Sequence, residues 1–147
     1  MDFVNLFNTG ISNKDCFIKT KPFKQCEGTA KLEMSDDQDA ITAGSRSIYS
    51  FYSQYGISFI DIIKIDTKNH KMMVIEGAKK NLSKGCVSNI VAEASIFEND
   101  LQHTFLENIS SRLGQYGYRL NSFYDISHKK DGLLCCLNAL FIKGVYN

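Results

Sequence analysis

The 147-residue chain lacks most of the features that would assign a function outright. No apolar run approaches the ~18 residues a membrane-spanning helix needs, so no transmembrane segment is expected. The opening stretch, MDFVNLFNTGISNKD, has no basic segment followed by an apolar core. A secretory signal is therefore not expected, and the cytosol is the expected location. Charge of one sign is also missing. The formal net charge is +1, which leaves no electrostatic footprint for nucleic acid or an anionic membrane. Lys79, Lys80, Lys84, Lys129 and Lys130 are scattered without interleaved aromatics, so they read as a solvated face. The five cysteines, Cys16, Cys26, Cys86, Cys135 and Cys136, are odd in number and form no CxxC pair, which argues against a disulfide framework. His70, His103 and His128 show no ligand-like spacing to them, so no metal site is expected. Cys135 and Cys136 lie in the apolar run LLCCLNALFI and read as small buried hydrophobes. Internal repeats and low-complexity tracts are absent.

What is present suits one globular domain, 1–147, with 44% apolar and 22% charged residues and enough length to bury a core. Residues 1–47 offer two short strands, Cys16 to Thr20 and Thr29 to Glu33, then a polar loop from Met34 to Ser47. Residues 48–147 read as a β-α-β-α-β-β unit preceded by a short aromatic helix, Ile48 to Tyr55, that ends at Gly56. Phe59 to Ile65 is a β-branched run with the look of a strand covered on both faces. The spacing of Lys71, Ile75, Ala78 and Leu82 predicts one face of a helix over 69–84, closed by Gly85. Gly77, inside that helix, costs about 1 kcal/mol relative to Ala and implies a close approach to something packed against it. Val87 to Ala94 is a second buried strand. Asn99 or Asp100 is placed to cap a helix whose apolar stripe is Leu101, Phe105, Ile109 and Leu113. Tyr118 to Tyr124 and Leu133 to Lys143 form a terminal hairpin around Asp131-Gly132, adding an antiparallel strand at or near the sheet edge. The expected class is α/β, a mainly parallel sheet with that hairpin appended.

Asp66 is delivered just past the carboxyl end of the Phe59–Ile65 strand, and Glu93 lies near the end of the next strand. Ligands gather at such positions in α/β sheets. Adjacent strands lie about 4.8 Å apart, so the two carboxylates can share one cleft. His70 is close enough in sequence to join them.

Several segments in order carry a family resemblance: CEGTAKLEMS, SIYSFYSQYGISFID, IDIIKIDTKNHKMMVIEGAKKNL, NIVAEAS, RLGQYGYRL and NALFIK. Across residues 16–143 they resemble the C-terminal half of FkbM-type methyltransferases, with a partial Rossmann-like sheet. The resemblance implies S-adenosylmethionine as cofactor, methyl transfer to oxygen on a small molecule or sugar, and catalytic roles for Asp66 and Glu93. Those residues would orient an acceptor or take its proton. Lys68, Asn69 and Lys71 depart from the family pattern, standing where it has an acid, a glycine and a further acid. The family's glycine-rich turn and the acid on its next strand have no counterpart, which implies that this chain alone does not hold the cofactor. Its fold is then a truncated one, with Phe59–Ile65 as a bare edge where a second copy or a partner chain can pair. Two readings stand: a methyltransferase-like protein with a small-molecule acceptor, or a non-catalytic α/β interaction module of the same descent.

Overall fold

A computed structural model describes residues 4–20, 41–68, 70–98, 100 and 103–144. The predicted strand from Thr29 to Glu33 and Cys26 lie outside them. Two sheets and four helices make up the described chain. The small sheet has the order β1-β3-β2, from β1 (Gly10–Ser12), β2 (Cys16–Thr20) and β3 (Ile41–Ser47). The predicted strand at Cys16 is therefore present. The polar stretch read as a loop is strand from Ile41 onward, paired with β1 in parallel and β2 antiparallel.

Ser47 ends β3 and starts α1 (Ile48–Tyr55) as its N-cap. Its hydroxyl accepts from the Ser50 amide at 3.1 Å, and its own amide donates to the Asp15 carboxylate at 2.9 Å. The helix stops, as expected, at Gly56, whose φ of 63° is a left-handed conformation that a side chain disfavours.

The main sheet has the order β4-β5-β7-β6, from β4 (Ile60–Ile65), β5 (Val87–Ser95), β6 (Tyr118–His128) and β7 (Leu134–Lys143). Only β4 and β5 pair in parallel there. β7 pairs antiparallel with both β5 and β6. The expectation of a mainly parallel sheet is thus corrected: antiparallel pairings predominate. The physical reason lies in the composition of the hairpin. β7 alternates Leu137, Ala139 and Phe141 into the core, which suits an interior strand. β6 is largely exposed and bulged, which suits an edge. The hairpin therefore inserts its last strand beside β5 rather than adding it outside.

β4 is the other end of this sheet. It is not covered on both faces as its sequence suggested, since Ile62 is 57% exposed. Between β4 and β5 the predicted single helix is two, α2 (Lys71–Gly77) and α3 (Lys79–Ser83). They are hinged at Ala78, whose amide is shared between the carbonyls of Val74 and Ile75 at 3.1 Å each. The predicted buried stripe is present: Lys71, Ile75, Ala78 and Leu82 are all buried. Gly77 makes the expected close approach, not to the main sheet but to the backbone of β1 at Ser12.

The last helix, α4 (Leu106–Gly114), starts later than predicted. Asp100 does not cap it, and Asn99 lies outside the described residues. Phe105 instead bridges to Ser95 as a short extension of the sheet, while Ile109 and Leu113 carry the buried stripe.

Two tyrosines pin the start of β5. Tyr52 donates its hydroxyl to the Cys86 carbonyl at 2.9 Å, and Tyr118 donates to the Val87 carbonyl at 2.6 Å. Burial pushes both phenols up to about 12. A raised folded value means their contribution is complete below the ordinary tyrosine value near 10 and is lost as pH rises through about 12. Tyr118→Phe removes one buried donor and is expected to cost about 1–2 kcal/mol at neutral pH. It should also reduce the loss of stability above pH 10, where the unfolded chain no longer gains by ionising that phenol. Urea unfolding at neutral and alkaline pH checks both effects.

Candidate functional site

The parallel register pairs Ile65 with Ala92, so Asp66 and Glu93 follow next to each other at the carboxyl ends of β4 and β5. Their surroundings differ. Asp66 is 53% exposed and its ionic partner is Lys64, at 3.7 Å, on its own strand. It does not cap the helix that follows. The N-cap of α2 is His70, which makes no side-chain capping bond and contributes its carbonyl to the amides of Met73 and Val74.

Glu93 is the centre of a network that sequence spacing did not reveal. Lys68 donates to Glu93 Oε2 at 2.9 Å, and the Lys71 ammonium lies 3.7 Å from the same oxygen. His103 Nε2 lies 3.5 Å from the other oxygen, Oε1. Lys68 also meets His103 Nε2 at 2.9 Å, while His103 Nδ1 meets Asp100 Oδ2 at 3.0 Å. Asp100 Oδ1 accepts the His103 backbone amide at 3.1 Å, so one carboxylate holds both the ring and the loop that carries it. Cys136, on β7 opposite Ser95, brings its sulfur to the same place.

The electrostatics follow from burial. Lys71 is fully buried, and desolvation lowers its ammonium below the ordinary lysine value, opposed by the charge of Glu93. The Thr67 carbonyl accepts from it at 2.8 Å, which keeps the amine satisfied. Burial alone would raise the Glu93 carboxyl, but the hydrogen bond from Lys68 and the nearby positive charges outweigh it and hold the group low. For Cys136, burial pushes the thiol up.

Of the residues singled out in the sequence, Asp66 and Glu93 are brought to adjoining positions, and His70 contributes backbone rather than its ring to the contacts there. Lys68 and Lys71 entered as departures from a pattern. Asp100 entered as a helix cap, His103 as a lone histidine and Cys136 as a core thiol. The arrival of Cys136 among them depends on β7 lying against β5, which periodicity does not disclose. A side-chain cluster occupies this position. Two hollows, of about 710 and 370 Å³, flank residues 5–9 instead, and neither is lined by Asp66 or Glu93.

The arrangement is that of an α/β protein with polar chemistry gathered at the ends of its parallel strands. The chain belongs to the methyltransferase FkbM domain family, whose pattern it matches over residues 2–120. Neither a curated protein nor a solved structure gives a significant match. Among the described residues, no helix is long and apolar enough to cross a membrane. The family suggests S-adenosylmethionine, whose reacting sulfur is a cation. Lys68 and Lys71 already direct two amines at Glu93, and both would oppose a sulfonium beside it. The strand-end residues of this chain do not fit that group.

Proposed function

We propose that this chain is an FkbM-type α/β module whose strand-end site is occupied by its own lysines, and that it works through contact with another chain rather than through methyl transfer. The observation that carries this reading is the pair of amines on Glu93. A carboxylate that accepts from Lys68 and faces a buried Lys71 is already neutralised, so it is a poor base for an acceptor hydroxyl. Among the described residues β4 is an end strand, and with Ile62 exposed it supplies an edge at which a second copy or a partner strand can add. Isothermal titration with S-adenosylmethionine and with its demethylated product is expected to give no saturable heat. Sedimentation is expected to show a dimer or larger species. Saturable cofactor binding together with a monomeric protein would overturn the proposal.

The finer enzymatic reading is an S-adenosylmethionine-dependent O-methyltransferase acting on a small molecule or sugar, with Asp66 and Glu93 as catalytic groups. One observation favours it. The Asp100–His103 pair beside Glu93 has the form of an oriented general base. In that case the same titration would saturate.

A further inference from the structure

We propose that Glu93, His103 and Cys136 form a zinc-binding site that Lys68 occupies with its ammonium when the metal is absent. The ligand atoms are one carboxylate oxygen, one imidazole nitrogen and one thiol sulfur, all within 4.8 Å of one another. That donor set suits zinc, which takes nitrogen, sulfur and oxygen ligands at about 2.0–2.3 Å in a tetrahedron. His103 Nε2 and Glu93 Oε1 stand 3.5 Å apart, close to the edge of such a tetrahedron.

Hydrogen bonding fixes which face the histidine presents. Asp100 Oδ2 can only accept, so the hydrogen on the ring belongs to Nδ1. Lys68 can only donate, so Nε2 offers a lone pair. This is the tautomer a metal requires, and the carboxylate behind Nδ1 is the support that metal-binding histidines ordinarily have. Nε2 and Oε1 are then two acceptors turned toward each other, an arrangement that is favourable only with a cation beside them. The Lys68 ammonium supplies that cation from one side, bridging Nε2 at 2.9 Å to the other carboxylate oxygen, Oε2, at 2.9 Å.

Lys68 sits in the turn after β4, and its side chain is 19% exposed, so it can swing outward into solvent. Lys71 does not have to move, because it lies on the Oε2 side and donates to the Thr67 carbonyl. A sulfonium makes no coordinate bond to set against displacement of the ammonium, whereas zinc makes three. The thiol of Cys136 releases its proton to solvent as the zinc–sulfur bond forms. Three protein ligands leave a fourth position for water.

The test is titration of the whole chain with Co²⁺ as a spectroscopic stand-in, followed by displacement with Zn²⁺ against a chromophoric chelator. The wild-type protein is expected to bind one equivalent and to develop a thiolate-to-cobalt charge-transfer band. Cys136→Ser should abolish the band, while Cys86→Ser should retain it. Asp100→Asn should weaken zinc binding by about tenfold through the histidine it holds. Lys68→Met should tighten zinc binding by about tenfold or more, because a like charge no longer has to be displaced. Far-UV circular dichroism of each variant separates these changes from unfolding. Absence of a band in both wild type and folded Lys68→Met overturns the site, as does a band that survives Cys136→Ser. An unchanged affinity in Lys68→Met overturns the role given to Lys68.

Discussion

Gly77→Ala should destabilise the protein by about 3 kcal/mol, the upper end of the usual cost of about 1–3 kcal/mol for overfilling a packed interior. In an ordinary helix the same change would help by about 1 kcal/mol, because alanine is the better helix former. Here a Cβ on residue 77 would stand 2.0 Å from the Ser12 carbonyl oxygen and 3.0 Å from its carbon. Both are backbone atoms of β1, so no side chain can rotate away to make room. Either α2 must move off the small sheet or β1 must leave β3, to which it is held by parallel pairing. Urea unfolding of Gly77→Ala and Gly77→Ser measures the effect. A wild-type midpoint in either variant would show that α2 and β1 are not tightly packed at this point.

That contact also marks the limit of what could be read from the chain alone. Periodicity placed Lys71, Ile75, Ala78 and Leu82 on one buried face, and the structure agrees. The unusual glycine within the helix signalled a close neighbour but could not say which. β1 is only three residues long and carries no strand-like composition, so the partner was invisible. The hairpin raised the converse difficulty. Asp131-Gly132 fixed its turn, yet turn chemistry says nothing about which of the two strands lies inward. The contrast between apolar LCCLNALFIK and polar YRLNSFYDISH held that information.

Misplacing that one strand hides the part of the site that Cys136 supplies. With β7 beside β5, Cys136 falls opposite Ser95, and Glu93 pairs with Asn138 two positions further on. With β7 at the sheet edge and β6 against β5, the thiol and the carboxylate would have no reason to meet. Lys71 was the clue available without any structure, because a lysine on an otherwise apolar helical stripe needs a carboxylate to face. Glu93, at the end of the next strand of the same unit, is one carboxylate that can meet that need. Reading Lys68 and Lys71 only as departures from an acidic pattern missed that they supply Glu93 with partners. Periodicity located the ends of β4 and β5 to within a residue, and it left open what their end residues meet.

Glu93→Gln should cost about 3 kcal/mol at neutral pH, because it leaves the fully buried Lys71 without its countercharge. The pH dependence distinguishes this cause from a general packing defect. Glu93 is held below the ordinary glutamate value of 4.5, so its contribution is present above that value and disappears as pH falls through the lower folded one. The gap between wild type and variant should therefore narrow in acid, where a protonated Glu93 resembles glutamine. Lys71 is depressed below 10.5 by burial, so the unfolded chain binds the extra proton over that interval and stability rises with pH across it. Without Glu93 the depression deepens, so the rise starts at lower pH and is larger in the variant. The gap should narrow again in alkali. The losses from Tyr52 and Tyr118 are common to both proteins and cancel in the difference. Urea unfolding of both proteins from about pH 3 to about pH 10 should thus give a stability difference with its maximum near neutrality. A difference that is flat with pH would mean that Lys71 is held by the Thr67 carbonyl and does not depend on Glu93.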